Sequence, residues 1–490
     1  MKSLRFVRPF PISTVSFSSA TLFSLALLPA LFLANAALAA DAAPLKVGAY
    51  AMDITPENFP ISSAGSLRAR MVKGVHDPLH ARCLVVDNGS TAVAFAVCDH
   101  CMIPREIMDE AKSRIEKTVG IPAKNILISA THTHTGVTVT PVFEAEVDEP
   151  YCDFLTDKIV EGIAEAWERR QPAQVGYGSG HDATQVFNRR WFTTTEYTNP
   201  FGVTTDKAKM NPGGNIDALI NPAGPIDPEI AFLSAQTPDG KPISVLANYS
   251  LHYVGGIPGG LLSADYYGEY ATRLAGMLGA DGEFVGIMSN GTSGDINNIN
   301  FRLGSTPRRE PFEQIQIVAG SVASATKTAY EEVEYHSALP IDVRETEIEL
   351  GVRKPTKEEV AQAKAYIASQ EDSYKAIEGV YANETVYLAD FPDSVKVKLQ
   401  AIRIGDLAIV STPCETFAET GIAIKDQSPF KQTFVMELAN GYNGYLPTPK
   451  QHEWGGYETW RARSSYLATD AEPKIRTALL GLLNDLAEEK

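Results

Sequence analysis

Two histidines one residue apart are the side chains in this sequence best suited to chemistry. They lie in Ser-Ala-Thr-His-Thr-His-Thr-Gly, directly after the apolar run Ile126–Ile128. Residues two apart in an extended chain face the same side, so His132 and His134 are expected to project together at a strand's end. One imidazole would suit a metal ion, and the other an acid/base role or a substrate contact. The spacing is short and common, and it fits a pair of surface histidines as well.

A third histidine and a polar loop follow later in the chain. His252 comes just after the predicted strand Ile243–Tyr249 and before a Gly-rich turn, where a ligand could approach the backbone. The run Ser289–Asn298 is small and polar, and it follows the apolar strand Phe284–Met288. Loops of this kind present backbone N–H groups at the ends of strands. Taken alone, each segment also fits a structural histidine or an ordinary polar turn.

One carboxylate and three tyrosines complete the candidate residues towards the end of the chain. Glu415 lies where the predicted strand Leu407–Ser411 gives way to a helix. Tyr442 and Tyr445 lie between glycines, and Tyr457 follows in Gly-Gly-Tyr-Glu. A tyrosine in a loop is usually a packing residue, so these side chains alone do not decide a function.

The polar segments are separated by runs with the periodicity of strands and helices. Their alternation predicts an α/β fold in which mixed β-sheets are covered by helices, and no internal repeat is visible. The stretch Trp191–Pro225 is rich in Thr, Asn, Pro and Gly and predicts a long ordered loop or lid. Besides the strands already named, we predict hairpins at Arg82–Val97 and Val395–Val410, strands at Asn125–Ala130 and Ala231–Gln236, and helices at Pro104–Val119, Tyr151–Arg170, Ala264–Leu278, Lys354–Ser369 and Glu472–Glu488.

The first 39 residues have the features of a signal peptide. Three basic residues lie within the first eight positions, the apolar run Thr21–Leu33 follows, and Ala-Leu-Ala ends at Ala39. The apolar run is short for a membrane span, and polar sequence follows it. We therefore expect cleavage near Ala39 and export to the periplasm or the extracellular space. No later segment is apolar for long enough to cross a membrane.

Composition and charge narrow the function classes. The chain of 490 residues is 44% hydrophobic and 21% charged, which is typical of a soluble globular protein. Its formal net charge of −17 becomes more negative once the basic leader is removed. Phosphate backbones are repelled by such a surface, so nucleic-acid binding is disfavoured, and no polybasic patch is present for anionic lipid.

Five cysteines include one CxxC motif, formed by Cys98 and Cys101. A second CxxC, which a zinc or redox site of this type would favour, is absent from the sequence. The motif ends a strand-like apolar run. We interpret the two cysteines as small buried residues, with a disulfide between them as the alternative in an oxidising compartment.

Taken together and in order, these segments resemble the catalytic domain of the neutral/alkaline ceramidase family. That family carries a Thr-His-Thr-His loop, an Asn-Arg pair, a strand ending in His before Ser-Ala-Asp-Tyr, a Gly-Asn/Asp loop, a Pro-x-Glu and a Tyr-rich segment. Matching segments run here from Gly48 to about Tyr457. The resemblance implies that residues 40–490 form this catalytic domain, without the family's C-terminal immunoglobulin-like domain.

The resemblance also assigns roles to individual residues. It implies Zn²⁺ ligands at His132, His252, Glu415 and Tyr445. His134 matches the histidine beside the metal, Arg189 a substrate-contacting arginine, and Tyr457 a tyrosine that faces the scissile carbonyl. The position of the family's essential serine falls on Asn297, and Ser293 is nearby but out of register.

The implied activity is that of an exported zinc hydrolase that cleaves an amide (N-acyl) bond with metal-activated water. His134 would carry the proton to the leaving group, and Asn297 cannot form an acyl-enzyme. The substrate is a small molecule or a lipid, and an apolar channel beside the metal would favour a lipid. Two alternatives stay open: a zinc amidase or esterase with a non-sphingolipid substrate, and a catalytically silent binding protein. Iron or nickel would also accept these nitrogen and oxygen ligands.

Overall fold

The computed structural model describes residues 44–305 and 307–488, so the predicted signal peptide lies outside the described residues. The described α-helices are α1 (Arg105–Val119), α2 (Glu149–Glu168), α3 (Asp265–Leu278), α4 (Glu313–Tyr330), α5 (Lys357–Ala368), α6 (Ile377–Ala389), α7 (Ala418–Gln427), α8 (Pro449–Trp454) and α9 (Ala471–Glu488), with short 3₁₀ turns at Ala123–Asn125, Ile216–Ala218, Phe301–Leu303 and Tyr457–Thr459.

The described strands are numbered in the same way. They are β1 (Lys46–Asp53), β2 (Ile61–Ser63), β3 (Arg70–Val72), β4 (Gly74–Val75), β5 (His80–Asp87), β6 (Ala92–Cys98), β7 (Ile126–Ala130), β8 (Gln171–Pro172), β9 (Gln174–His181), β10 (Phe187–Asn188), β11 (Arg190–Thr193), β12 (Ala208–Met210), β13 (Leu219–Pro222), β14 (Glu229–Gln236), β15 (Pro242–Tyr249), β16 (Leu261–Leu262), β17 (Val285–Asn290), β18 (Ile296–Asn297), β19 (Ile341–Gly351), β20 (Ser394–Ile404), β21 (Leu407–Ser411), β22 (Glu415–Thr416), β23 (Gln432–Met436) and β24 (Tyr445–Leu446).

Three larger sheets share one connectivity. Their strand orders are β7-β6-β5-β1-β8, β17-β15-β14-β9 and β23-β21-β20-β19. In each sheet two antiparallel pairings are followed by a helix-containing connection to a strand that lies parallel to the last one, as in β5-β6-α1-β7. The parallel pairs are therefore β6/β7, β15/β17 and β21/β23. Parallel strands end at the same edge of a sheet, so each sheet presents two chain ends together.

The alternation of side chains along these strands explains why the sheets pack as layers. In β6, Val93, Phe95 and Val97 join a core shared by all three sheets, whereas Ala94 and Ala96 face the core under the helices. Both faces of the strand are buried, which accounts for its unbroken apolar sequence. The shared core also takes residues from the second and third sheets, such as Leu246, Ile287, Ile409 and Phe434.

The predicted α/β class, with mixed sheets covered by helices, is confirmed. Predicted helices and strands are present, with ends that differ by one to three residues in most cases. The stretch Trp191–Pro225 is not simply a loop, because β12, β11 and β13 form a small antiparallel sheet within it. Among the described residues, no helix is both long and apolar enough to cross a bilayer.

Gly48 marks the closest approach of a sheet to a helix and yields a test of this packing. A Cβ atom there would overlap the Ala166 carbonyl oxygen and lie 2.8 Å from the Arg170 nitrogen. These are backbone atoms that cannot rotate away, so we expect Gly48→Ala to lower the free energy of unfolding by about 1–3 kcal/mol or more. Gly276→Ala, in α3 with open space around it, should instead raise it by about 0.5–1 kcal/mol. Urea denaturation of both variants is the measurement, and equal effects would contradict the packing.

Candidate active site

Three polar side chains from three different sheets meet where the parallel strand pairs end. His132 follows β7, His252 follows β15, and Glu415 follows β21, each two to four residues beyond the strand. All three are at most 2% exposed. The strands position these residues because the carboxyl ends of the three parallel pairs lie close together.

The distances among these three groups are short. His132 Nε2 lies 2.9 Å from His252 Nε2 and 3.4 Å from Glu415 Oε2. His252 Nε2 lies 3.9 Å from the same carboxylate oxygen. These atoms all lie within 4.8 Å of one another, so one ion could contact all three.

The hydrogen bonds around this trio indicate that it is built for a cation. His132 Nδ1 lies 2.7 Å from the Cys101 carbonyl oxygen, and His252 Nδ1 lies 3.2 Å from the Ser293 carbonyl oxygen. Each carbonyl requires an N–H on Nδ1, which leaves the Nε2 lone pair of that ring facing the other ring. Glu415 Oε2 is buried and has no hydrogen-bond partner among the described residues. Two lone pairs and an unpartnered carboxylate oxygen fit zinc, whose usual ligands include His and Glu.

The ionisation of the rings agrees with this chemistry. Burial, together with the neighbouring charge of His132, lowers the pKa of His252 well below its ordinary value. Burial opposes protonation of His132 too, but Cys101 and Glu415 raise its pKa well above the usual range. In the metal-free protein, the space between the rings is therefore suited to one positive charge.

A strained backbone turns the first histidine inward. β7 ends at Ala130, and His132 has a φ of 78°, in the left-handed region that non-glycine residues rarely adopt. The sequence suggested that strand alternation would orient this ring. The turn at His132 orients it instead. The two rings of the motif still meet, with Nε2 of His134 lying 3.2 Å from Nε2 of His132. Strain of this kind costs about 1–3 kcal/mol and is found mainly at functional sites.

His134 is held by its own contacts beside the trio. Its ring stacks on Tyr253 with centroids 3.6 Å apart. Burial, together with His132, lowers the pKa of His134 well below its ordinary value, so the ring is neutral at neutral pH. Thr133 and Thr135 donate to the Ser263 carbonyl oxygen at 2.8 and 3.0 Å and anchor the loop on either side.

Tyr445 is brought beside Glu415 by a short parallel strand pair. β22 pairs with β24 so that Glu415 and Tyr445 are register partners. The Tyr445 hydroxyl accepts a hydrogen bond from Arg189 Nη2 at 3.0 Å. The Tyr457 ring packs edge-on against Tyr445, with centroids 5.8 Å apart. The two predicted tyrosines and Arg189 therefore lie in the same place as the histidines.

Arg189 is fixed by a buried ion pair that the sequence did not reveal. Glu458 accepts from Arg189 Nε at 2.9 Å and from Arg190 Nη1 at 2.6 Å, and it is fully buried. Burial opposes the charge of Glu458, but Arg190 and Arg189 outweigh it and lower the pKa of the carboxyl. One guanidinium nitrogen of Arg189 is thereby held in place at the Tyr445 hydroxyl.

A cavity of about 170 Å³ lies over these groups. Polar residues that line it include His132, His134, Arg189, His252, Glu415, Tyr445 and Tyr457. Apolar residues that line it include Met210 and a cluster of Leu67, Met102, Val142 and Phe143, which form the apolar wall. A ligand in the cavity would thus meet both ligating groups and a hydrocarbon surface.

Two sequence predictions have different outcomes at this cavity. Asn297 does not line it, and its side-chain nitrogen donates to Asn211 Oδ1 at 2.8 Å, a residue that does. Cys98 and Cys101 are free and buried, as preferred from the sequence, and no disulfide joins them. Cys101 nevertheless lines the cavity, with Sγ 3.7 Å from His132 Nδ1.

Sequence reasoning missed several contacts of the site. Tyr442 donates to Glu415 Oε1 at 3.0 Å, although it was singled out only as one tyrosine of a group. Tyr253 and Glu458 directly follow the predicted residues His252 and Tyr457, so adjacency to a motif was the available signal. Glu437 carried no motif of its own.

A segment of the chain links the three sheets just behind the site. This bridging segment, residues 437–445, receives a hydrogen bond from Ala130 N to Leu438 O at 3.1 Å and donates from Glu437 N to Asn290 O at 3.1 Å. Leu438 and Asn440 have positive φ values of 52° and 62°. The segment therefore follows a bent path that ties the ends of β7 and β17 to the third sheet.

Comparison with known proteins identifies the family of the chain. Residues 45–301, more than half of the chain, match the family described as neutral/alkaline non-lysosomal ceramidase, N-terminal. The chain belongs to this ceramidase family. Neutral ceramidase of Pseudomonas aeruginosa is 24% identical over 287 residues, covering 56% of this chain and 40% of that enzyme. Neutral ceramidase B of Dictyostelium discoideum is 20% identical over 513 residues, covering 84% of this chain and 68% of that protein.

Solved ceramidase structures share the fold. The crystal structure of neutral ceramidase from Pseudomonas aeruginosa superposes with a TM-score of 0.70 at 18% identity, covering 92% of this chain and 75% of that one. A ceramidase complexed with C2 gives the same TM-score at 17% identity, covering 91% and 76%.

Lys112 provides a test of the bridging segment. This lysine of α1 is 1% exposed, and its Nζ donates to Asn440 Oδ1 at 2.6 Å. Burial lowers the pKa of Lys112 from 10.5 to about 7. Between about pH 7 and pH 10.5, Lys112 carries a proton in the unfolded chain but not in the folded protein. Its contribution therefore increases the free energy of unfolding as pH rises.

Replacing this group should flatten the pH dependence of stability. We expect Lys112→Met to reduce the rise in the free energy of unfolding across that window by a few kcal/mol. Urea denaturation at several pH values measures it. Lys117→Met, at an exposed position of the same helix, should show the same slope of unfolding free energy against pH as the parent protein. An unchanged slope in Lys112→Met would mean that Lys112 is ordinarily charged in the fold.

Proposed function

We propose that this chain is a zinc-dependent hydrolase that cleaves the amide bond of an N-acylated lipid. Ceramide, after which its relatives are named, is one such lipid. The observation that carries this proposal is the buried meeting of His132, His252 and Glu415 in a cavity that is also lined by a cluster of apolar side chains. Membership of the ceramidase family supports the reaction class. The leader sequence supports export before the enzyme acts.

The proposed zinc shell consists of His132, His252, Glu415 and Tyr445. A bound zinc ion would supply Lewis acidity and make hydroxide available near neutral pH. Tyr442 occupies one oxygen of Glu415 and so leaves the other free to act as a ligand. Burial and Glu415 raise the pKa of the Tyr445 hydroxyl well above its ordinary value, and Arg189, which donates to this hydroxyl, opposes part of that shift.

The remaining polar groups handle the charge and the proton of the reaction. Tyr457 and Arg189 line the cavity, where they would donate to the carbonyl oxygen as negative charge develops on it. His134 lines the cavity with Nε2 only 3.2 Å from His132 Nε2, a position from which it would accept a proton from the attacking water and deliver it to the leaving amine. This route uses no serine nucleophile, so Asn297 at the family's serine position does not prevent it.

The apolar wall supports a hydrocarbon acyl group as part of the substrate. Met102, Val142 and Phe143 line it, and a hydrocarbon chain placed there would gain about 0.8 kcal/mol for each buried methylene. A polar acyl group would gain no such burial. The cavity therefore supports an N-acyl lipid over a peptide or a sugar-linked substrate.

Metal removal and ligand substitution test the reaction directly. We expect zinc-loaded protein to hydrolyse N-acyl amide substrates, and both zinc stoichiometry and activity to be lost in His132→Ala. Elemental analysis and product release measure the two quantities. His100→Ala is the matched control: its side chain is equally buried and contacts Val137 and Tyr151, and only its backbone carbonyl, which the substitution keeps, accepts from His132 N. Zinc binding without hydrolysis of any N-acyl amide would favour a silent binding protein instead.

Chain-length preference tests the assignment of the apolar wall. Val142→Trp should fill part of that wall and lower kcat/KM for long-chain N-acyl substrates by about 10- to 100-fold, since about two or three methylenes would each lose a burial gain of about 0.8 kcal/mol. Activity on an N-acetyl substrate should change far less, because the short group need not reach the wall. Val142→Ala serves as the control that keeps the space open. An equal loss on both substrates would place the acyl chain elsewhere.

A further inference from the structure

A buried carboxylate that the proposed reaction does not use lies between two of the proposed metal ligands. Glu437 is fully buried and comes directly after β23, in the third sheet. Both of its oxygens accept short hydrogen bonds. These bonds lead in opposite directions, one towards His252 and one towards Glu415.

On one side Glu437 acts through a serine. Ser293 Oγ donates to Glu437 Oε1 at 2.7 Å, and the same Oγ lies 3.4 Å from His252 Nδ1. Since the serine proton points at the carboxylate, the oxygen presents lone pairs to the imidazole. The Ser293 carbonyl oxygen, 3.2 Å from the same nitrogen, also requires a donor there. Both acceptors place the ring proton on Nδ1 and leave Nε2 free for the cation.

On the other side Glu437 acts through the backbone. Thr416 N donates to Glu437 Oε2 at 2.6 Å, and this amide directly follows Glu415. Glu437 N donates in turn to Asn290 O at 3.1 Å, at the end of the strand that leads to Ser293. One side chain therefore spans from the loop behind His252 to the strand that carries Glu415.

We propose that Glu437 is a positioning residue that fixes the metal-binding tautomer of His252 and sets the separation of His252 from Glu415. This inference rests on the proposed metal shell and adds a group outside it. Carboxylates that act through a histidine in this way raise metal affinity by about 10- to 100-fold. An amide in place of the carboxylate can donate to Ser293, which frees the serine proton to turn towards His252 Nδ1 and favours the wrong tautomer.

The test compares zinc affinity with the stability of the metal-free protein. We expect Glu437→Gln to weaken zinc binding by about 10- to 100-fold in a chelator competition assay. All variants are assayed at the same pH. The Tm of the metal-free variant is measured in parallel.

Asp295→Asn is the matched control. Asp295 is equally buried, accepts from Ala418 N at 2.9 Å and from Asn188 Nδ2 at 2.6 Å, and contacts none of the proposed ligands. It should lower the Tm of the metal-free protein without this loss of zinc affinity. If Glu437→Gln lowers only the Tm and keeps the parent affinity, Glu437 is structural and the inference is wrong.

A double variant tests the route through the serine. Ser293→Ala combined with Glu437→Gln should weaken zinc binding less than the sum of the single effects, because the two groups act on one nitrogen. Full additivity would overturn the relay. Zinc binding by the parent protein without amide hydrolysis would overturn the proposed function and leave the inference standing on affinity. A parent protein that binds no zinc would overturn both.

Discussion

The close approach of two imidazole nitrogens and one carboxylate oxygen in the interior is the constraint on which the rest of this structure depends. His132 Nε2 and His252 Nε2 are 2.9 Å apart with a buried carboxylate oxygen beside them. Without positive charge between them, these atoms repel, and burying them costs several kcal/mol. The surrounding structure must therefore hold them together before a cation arrives.

The way in which the chain holds them follows from its repeated connectivity. Each of the three main sheets ends in a parallel pair, and the six strand ends supply a series of neighbouring residues: Cys101, His132, His252, Ser293, Glu437 and Glu415. Glu437 reaches Glu415 through the Thr416 amide, and Glu415 lies beside His132. Because corresponding ends of the three sheets carry different residues, no repeat is visible in the sequence. The bridging segment closes the arrangement by bonding to the ends of the neighbouring sheets.

Much of this could be predicted, and the remainder has a physical reason. Apolar runs such as β7 and β15 stop abruptly at polar residues, so both the strands and the ligand candidates at their ends were visible. The family resemblance then grouped residues that lie far apart in the chain. The helix α4 was missed because alanine, serine and glycine blur its polar face, and Glu437 was missed because its role comes only from contacts across sheets. The left-handed turn at His132 was also not predictable, since tertiary contacts impose it against the preference of the residue.

The threefold connectivity has a consequence for how the protein matures. These six side chains come from positions between residue 101 and residue 437, and some of their contacts, such as that of His132 with Glu415, join residues far apart in the sequence. Contacts between residues far apart in the sequence form late in folding, because the entropy of closing a large loop is lost before the contacts can stabilise the fold. A nascent or truncated chain lacking the third sheet would have neither carboxylate in place. Metal binding should therefore indicate that all three sheets have folded and packed together, and not only one of them.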